Sequence, residues 1–435
     1  MGILDIPPRN RSAADLRVLS ENTLGLIALA ATSATSTGTQ TASTAVCYQV
    51  QMTQRIGGRS LRLFYTNYTN SGTNNAELAL TATLTVKVGI LLSVNAGAAP
   101  LPVTWGGAAS IVIKPGGTAL SDVLEIDLPQ GTVYWVVTYV SASAAPFPFT
   151  GYVINGVARN EGAYNQGDYS AAPNGIPNSN FVAGSVGVYG PAVVFGVPFK
   201  GARSARVALV GDDIMRGQSP TNDFYGYNIV PPLSQTSCVN IASSYEYAAN
   251  FGNPLGHRYR ISLVDGCTSW FSSFGTTESR LPTTLTNAAT TVATMAASVI
   301  SCWNVMVNRL GVSGVQSTLT PYSTSSDSYA TTANQTIGNA TGNTARVGFN
   351  NWLRNGAPML NGAYAVAGSS ANGTLRAGAT GHPLVAYFEV AHVVESARDS
   401  GLFKAPGYTP DGYSLNPSAY TAISSAVDWT KLGIV

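Results

Sequence analysis

Arg206-Val207-Ala208-Leu209-Val210-Gly211-Asp212-Asp213-Ile214-Met215-Arg216-Gly217 decides how the second half of this chain is read. Val207 to Val210 form an apolar run with no polar alternation, as in a strand buried on both faces of a parallel sheet. The run breaks at Gly-Asp-Asp, where the chain must turn. Working outward, Arg260–Val264 is a second apolar run that ends at Asp265-Gly266-Cys267. Residues 285–295 have helical spacing and precede a third run, 297–302, which leads to Asn304. A helix-like stretch at 348–354, an apolar stretch at 384–394 and a closing helix at 417–427 complete the series. Strands alternating with helices predict an α/β domain with a parallel sheet over residues 201–435. In such a sheet, ligands bind outside the carboxyl ends of the strands. Asp213, Gly266 and Asn304 thereby become candidate site residues, joined by Asp411 and Ser414 just before the last helix.

Upstream, the pattern changes from runs to alternation. Leu78, Leu80, Leu84, Val86, Val88 and Ile90 share one parity, while Thr81, Thr83, Thr85 and Lys87 take the other. Period-two alternation predicts a half-buried strand. Residues 60–65, 109–113, 123–128 and 132–139 read likewise, separated by turns such as Trp105-Gly106-Gly107 and Pro115-Gly116-Gly117. Residues 46–145 are therefore expected to form an antiparallel β-sandwich or jelly roll. Residues 1–45 form a leader, with a helical-looking stretch at 15–27 and then a Ser/Thr/Ala-rich run. Such a leader suits a linker or an arm that packs on a neighbouring chain. Residues 146–200, rich in Tyr, Asn and Gly (Tyr152, Tyr164, Tyr169, Asn174, Tyr189), read as a long ordered connector.

Composition removes several classes of function. The chain has 435 residues, with 23 Lys and Arg against 21 Asp and Glu, so charged residues make up 10% and the net charge is +2. A typical soluble domain is about a quarter charged. A nucleic-acid partner is excluded, because no basic stripe is present to displace counterions from phosphates. No apolar run approaches the ~18 residues of a spanning helix, so membrane insertion is not expected. The first residues lack the basic-then-apolar build of a secretory signal, so the acceptor patterns at Asn67, Asn334, Asn339 and Asn372 carry little meaning. Cys47, Cys238, Cys267 and Cys302 have no zinc-like spacing. Buried free thiols are the simpler reading, with a Cys238–Cys267 bridge left open, and no metal or cofactor is expected.

The order and spacing of these blocks resemble the SGNH (GDSL-type) hydrolase family. That family carries a Gly-Asp-Ser nucleophile turn, then an oxyanion-hole Gly, an oxyanion-hole Asn in Gly-x-Asn-Asp, and a late Asp-x-x-His pair. Residues 207–217 are similar to its first block, 261–270 to its Gly block, 298–304 to the strand leading to its Asn, and 349–354 to its Asn-x-Trp-hydrophobic-Arg helix. Residues 409–420 resemble its last block, and 57–67 with 103–136 resemble a jelly-roll domain that precedes the hydrolase in some secreted members. The resemblance implies a two-domain chain of that kind over about 50–435.

The departures decide what the resemblance implies for function. Asp213 stands where the family has its Ser, and Ser414 stands where it has its His. Asn304 lies in Cys302-Trp303-Asn304-Val305 instead of Gly-x-Asn-Asp. A nucleophile needs a base in hydrogen-bond reach, and the base needs an orienting group. Only the orienter, Asp411, remains. A carboxylate at 213 would also repel the negative charge that an oxyanion hole must stabilise. His257, His382 and His392 fall in no family motif and read as structural. Thr221-Asn222-Asp223 imitates the Asn block but comes too early in the chain.

The expected function is thus a catalytically inactive structural protein, a virion surface component (capsid decoration, fibre or tail protein) of a bacteriophage. It would be assembled in the host cytoplasm, with further copies of itself or other virion proteins as partners. One alternative is a carbohydrate-binding or receptor-binding protein, extracellular or on the particle, that uses the former cleft on a cell-surface glycan. Its contact residues would be Asp213, Asn304 and Asp411, with Tyr225 and Tyr227 as stacking platforms. Against that, the plainer role for both tyrosines is loop packing. Another alternative is an esterase or a glycosidase with relocated groups; for the glycosidase the paired carboxylates Asp213 and Asp411 are the candidates, and for the esterase the sequence offers no reactive side chain.

Overall fold

A computed structural model of the chain describes residues 17–21, 45–53, 57–70, 77–93, 97, 99–142, 162–164, 167–177, 189–199, 205–216, 227, 233, 236–243, 246–280 and 291–434. The chain divides into two compact units, Met1–Ala202 and Arg203–Val435.

The first unit is antiparallel β structure. One sheet runs Arg17–Glu21, Val193–Pro198, Gly58–Thr66, Leu124–Leu128, with Thr118–Leu120 also on Gly58–Thr66. The other runs Gly162–Tyr164, Ala45–Thr53, Val133–Ala142, Leu84–Leu91, Leu101–Val103, with Ile111–Ile113 also on Leu84–Leu91. Leu84, Val86, Val88 and Ile90 are buried at every second position, as their parity predicts. The buried Tyr65 and Thr138 hydroxyls, one from each sheet, meet at 2.8 Å and tie the two inner faces together.

Three expectations change here. Arg17–Glu21, inside the stretch that looked helical, is a strand paired antiparallel with Val193–Pro198. Cross-strand pairing overrides a weak local helical preference. The alternating stretch of 78–90 is two strands, Glu77–Ala79 and Leu84–Leu91, broken at 80–83. Parts of the expected connector belong to the sheets, through Gly162–Tyr164 and Val193–Pro198, and residues 167–177 lie over the second sheet. There Gln49 Oε1 accepts from Ile176 N at 2.9 Å, and a Cβ on Gly89 would stand 2.1 Å from Ser170 O, so only glycine admits that covering loop.

The second unit is a parallel α/β structure. Its strands are β1 (Arg206–Val210), β2 (Ser237–Asn240), β3 (Ser269–Ser272), β4 (Gly314–Ser317) and β5 (Leu384–Phe388). They lie in the order β2-β1-β3-β4-β5, every neighbouring pair parallel. Its helices are α1 (Asp213–Arg216), α2 (Ala248–Gly252), α3 (Thr276–Arg280), α4 (Val292–Leu310), α5 (Ala340–Arg354), α6 (Ala391–Val394) and α7 (Pro417–Ala426). Val207, Leu209, Phe271, Val315 and Phe388 share one apolar core with Ala419, Tyr420 and Ile423 of α7 and with Trp429. Successive strand residues face opposite sides, and Gln316 accordingly accepts from Trp303 Nε1 of α4 at 3.0 Å. Helices therefore cover both faces.

Two runs read as strands are helical. Arg260–Val264 is a 3₁₀ turn, and 297–302 lies inside α4. Thr291 starts α4 by accepting from Thr294 N, and Gly311 ends it with φ 70°. The strands in their place, Ser269–Ser272 and Gly314–Ser317, carry polar side chains that the fold satisfies. Gln316 Nε2, for example, donates to Phe274 O at 3.1 Å. Beyond β4, Asn350 of α5 accepts from Leu319 N at 2.7 Å and donates to Leu319 O at 3.0 Å. Arg346 also reaches Leu319 O (3.0 Å) and pairs with buried Glu395 at 2.6 Å. Arg354 bridges Glu389 (2.6 Å) and Asp399 (2.7 Å). All four cysteines are free thiols, so the Cys238–Cys267 bridge left open above is not formed.

Candidate functional site

The strand order reverses where β2 and β3 flank β1, and the crevice beyond the carboxyl ends of β1 and β3 is the natural ligand position in such a sheet. Gly211 ends β1 at a close approach: a Cβ there would lie 2.4 Å from Ser273 Oγ and 2.8 Å from Met215 Cβ. Only glycine lets the loop after β3 come this near. Asp212 is fully buried; its Oδ1 accepts from Ile214 N at 3.2 Å, and its Oδ2 from Thr277 N at 3.0 Å and Thr277 Oγ1 at 3.2 Å. Burial, reinforced by the neighbouring Asp213 charge and opposed by Arg280, pushes the Asp212 carboxyl up to about 6.

Gly275, with φ 120°, swings the chain from β3 into α3. That short helix brings Thr277, Glu278 and Arg280 to the crevice. Glu278 is 3% exposed and accepts from Ala248 N at the start of α2. Burial, with a further contribution from the Asp212 charge, pushes its carboxyl up to about 8. Arg280 pairs with Asp213 Oδ2 at 3.2 Å, and its guanidinium carbon sits 3.2 Å from the centre of the Tyr413 ring. The Tyr413 hydroxyl donates to the same Asp213 Oδ2. Burial and the Asp213 charge hold that phenol well above its ordinary range, so it stays protonated and donating.

Asp411 and Ser414 do not face a reacting position; they bond each other. Ser414 Oγ donates to Asp411 Oδ2 at 2.8 Å, while Asp411 Oδ1 accepts from Tyr413 N (2.9 Å) and Ser414 N (2.7 Å). Thr409 Oγ1 accepts from Gly412 N and Tyr413 N at 2.9 and 3.1 Å. This is a self-closing Asx turn, and its effect is to fix the backbone from which Tyr413 projects.

The other expected residues lie elsewhere. Gly266 precedes β3, at its amino end, and nothing stands within 4 Å of a Cβ placed on it. Asn304 is exposed in the middle of α4, because the run before it is helical. Tyr227 is buried in the apolar core, 4.8 Å from the Phe271 ring and 5.5 Å from Tyr420, so packing is its role. Tyr225 lies outside the described residues. His257 bonds Phe251 O, His382 is held between Ala357 O and Leu384 N, and His392 is exposed on α6. Asp212 was marked in the sequence only as part of the turn after β1, and Thr277, Glu278, Arg280 and Tyr413 were not singled out. A signal was present: Gly275-Thr276-Thr277-Glu278 has the form of Gly-x-Asn-Asp with Thr and Glu in its last two places.

Chemically, the crevice offers a paired carboxylate, a carboxyl that holds its proton at neutral pH, a guanidinium and a phenol. The two donors of Thr277 both turn inward to Asp212. Among the described residues, no group of three or more His, Cys, Asp and Glu side chains could hold a metal ion. Among the same residues, no helix is long and apolar enough to cross a membrane.

No family model matches the chain, and no curated protein matches it. Among solved structures, the chain is similar to a protein of the G-D-S-L family from Desulfitobacterium hafniense, at 11% identity and a TM-score of 0.33, over 51% of this chain and 97% of that one. It is similar to an α/β hydrolase from the metagenome of Lake Arreo, at 10% identity and a TM-score of 0.33, over 54% and 97%. An acetyl-xylooligosaccharide esterase from Geobacillus gives 10% identity and a TM-score of 0.31, over 54% and 96%. The α/β architecture of this chain stands on its own sheet order, with hydrolases and esterases among the proteins it is similar to.

Proposed function

We propose that the chain is a non-hydrolytic structural protein, in which an SGNH-hydrolase-like α/β unit follows a β unit of jelly-roll type. The observation that carries this reading is the state of Asp213. At the end of β1, where an acyl-transfer enzyme of this architecture would present a nucleophile, a buried carboxylate is held by Arg280 and by the Tyr413 hydroxyl. Attack on a carbonyl needs an activated nucleophile, a base and donors for the oxyanion. Here Ser414 is bonded to Asp411 with no histidine between them, and Thr277 turns both of its donors to Asp212. Loss of a single member of such a catalytic set costs several orders of magnitude in rate.

The setting we propose is the surface of a bacteriophage particle, as a decoration, fibre or tail component that contacts copies of itself or other particle proteins. The low charge of the chain and the part of its leader ahead of the sheet strand Arg17–Glu21 support that setting. Glycan recognition by the crevice has less support, since Asn304, one of its three contact residues, is exposed on α4.

The test is reaction of the purified chain with a fluorophosphonate serine-hydrolase probe, read by intact mass beside an active G-D-S-L enzyme. The expected result is no adduct under conditions that label the control fully. A stoichiometric adduct on one serine would overturn the reading. For the setting, sedimentation of the full chain and of a chain lacking residues 1–16, ahead of the sheet strand Arg17–Glu21, should show assembly that depends on that part of the leader; identical behaviour would remove that part.

A further inference from the structure

Tyr413 sits in the crevice in the manner of a bound molecule. Its ring covers the Arg280 guanidinium at 3.2 Å, its hydroxyl donates to Asp213, and the residue is 8% exposed. The contact joins residues 200 apart in the chain. The backbone at Tyr413 is fixed twice over, by Thr409 Oγ1 and by Asp411 Oδ1. Gly412 is pressed against the neighbouring hairpin so closely that a Cβ there would stand 1.9 Å from Ser323 O and 2.2 Å from Tyr329 Oη. The loop thus has one seat, and that seat aims one ring at one ion pair.

We infer that Asp213 and Arg280 form a recognition site for a phenol, and that its resident ligand is the chain's own Tyr413. The site supplies two complementary features: a carboxylate that accepts from the hydroxyl, and a planar cation that stacks on the ring face. Asp411 and Ser414 act as positioning residues that keep the ring seated. The crevice is therefore occupied from within, and the ligand class it would take in place of that ring is a small phenol, not a sugar.

Truncating Tyr413 to glycine removes the ring and opens a hollow of its shape; apolar hollows of that size bind benzene, and one bordered by the Asp213 carboxylate and the Arg280 guanidinium should favour a ring that carries a hydroxyl. The experiment follows the thermal midpoint of full-length Tyr413→Gly during titration with 4-methylphenol, with toluene as the probe lacking the hydroxyl. The expected result is a lowered midpoint that 4-methylphenol raises saturably, toluene raises far less, and neither probe raises in the unaltered chain. Equal response to both probes, or no response from a folded variant, would overturn the inference. Should Tyr413→Gly not fold, a double-mutant cycle of Tyr413→Phe and Asp213→Ala in denaturant replaces it. Coupling of at least about tenfold in the unfolding constant is expected for a buried bond to a charged group, and zero coupling overturns the inference. Both readouts are separate from labelling by the serine probe, so a failed phenol site and a working hydrolase are told apart.

Discussion

Beyond β4 and β5, each buried arginine meets its own carboxylates, Arg346 with Glu395 and Arg354 with Glu389 and Asp399. Beyond β1 and β3, three buried carboxyls, Asp212, Asp213 and Glu278, gather around Arg280. The interior strengthens charge interactions and makes unmatched charge costly. The first corner answers with pairing and acts as a staple on the loop after β4. The second answers with protons, because burial raises Asp212 and Glu278 above ordinary carboxyls. The same sheet thus carries a corner that weakens in acid, as paired Glu389 takes up its proton, and another that weakens as pH rises.

The largest effect should come from the matched corner. Glu395→Ala strands the Arg346 guanidinium and the backbone donors of Asp399 and Gly401. Its expected cost is ~3–5 kcal/mol in urea unfolding. A cost below ~1 kcal/mol would break the comparison, since the staple would then be ornamental.

Next comes the pH response of the unmatched corner. The pKa of Glu278 in the fold, about 8, lies above its ordinary 4.5, so the folded chain keeps a proton that the unfolded chain releases. Its contribution is full below the ordinary value and is lost as pH rises through about 8. Asp212 acts in the same direction, between 3.8 and about 6. Glu278→Gln should flatten the fall of stability from weakly acidic to weakly alkaline pH, by an amount on the order of a few kcal/mol. Parallel profiles for the variant and the unaltered chain would show that the corner is not proton-loaded.

A smaller change sharpens the same point. Thr277→Val removes the hydroxyl donor to Asp212 and keeps the backbone one, at about 1 kcal/mol. It should also move the Asp212 titration further up, followed by carbon NMR of the carboxyl, because a donor to the charged form has gone. The smallest effect is expected at Arg309 and Asp265, a half-exposed surface pair. Arg309→Ala should cost under ~1 kcal/mol and nothing measurable in high salt.

These contrasts explain which parts of the molecule could be read from sequence. β1 was legible because Val207 to Val210 are apolar and end at turn residues, and α7 because Asn416 caps it and Pro417 opens it. β3 and β4 were not, because Ser-Trp-Phe-Ser and Gly-Val-Gln-Ser satisfy their polar groups through partners far along the chain. Short apolar runs fit helix and strand equally well, and α4 was divided for that reason, although Thr291 and Gly311 marked its true ends. Of the site, Asp213 could be placed at the end of β1. Arg280 and Tyr413 could not, since one lies in a five-residue helix and the other was overshadowed by Asp411 and Ser414 on either side.

The seat of Tyr413 has a consequence in time as well as in space. On a chain made from its amino end, Asp213 and Arg280 emerge 67 residues apart, while Tyr413 follows Asp213 by 200. The ion pair can therefore exist long before its ring arrives. The corner is complete only once the last stretch before α7 has been made.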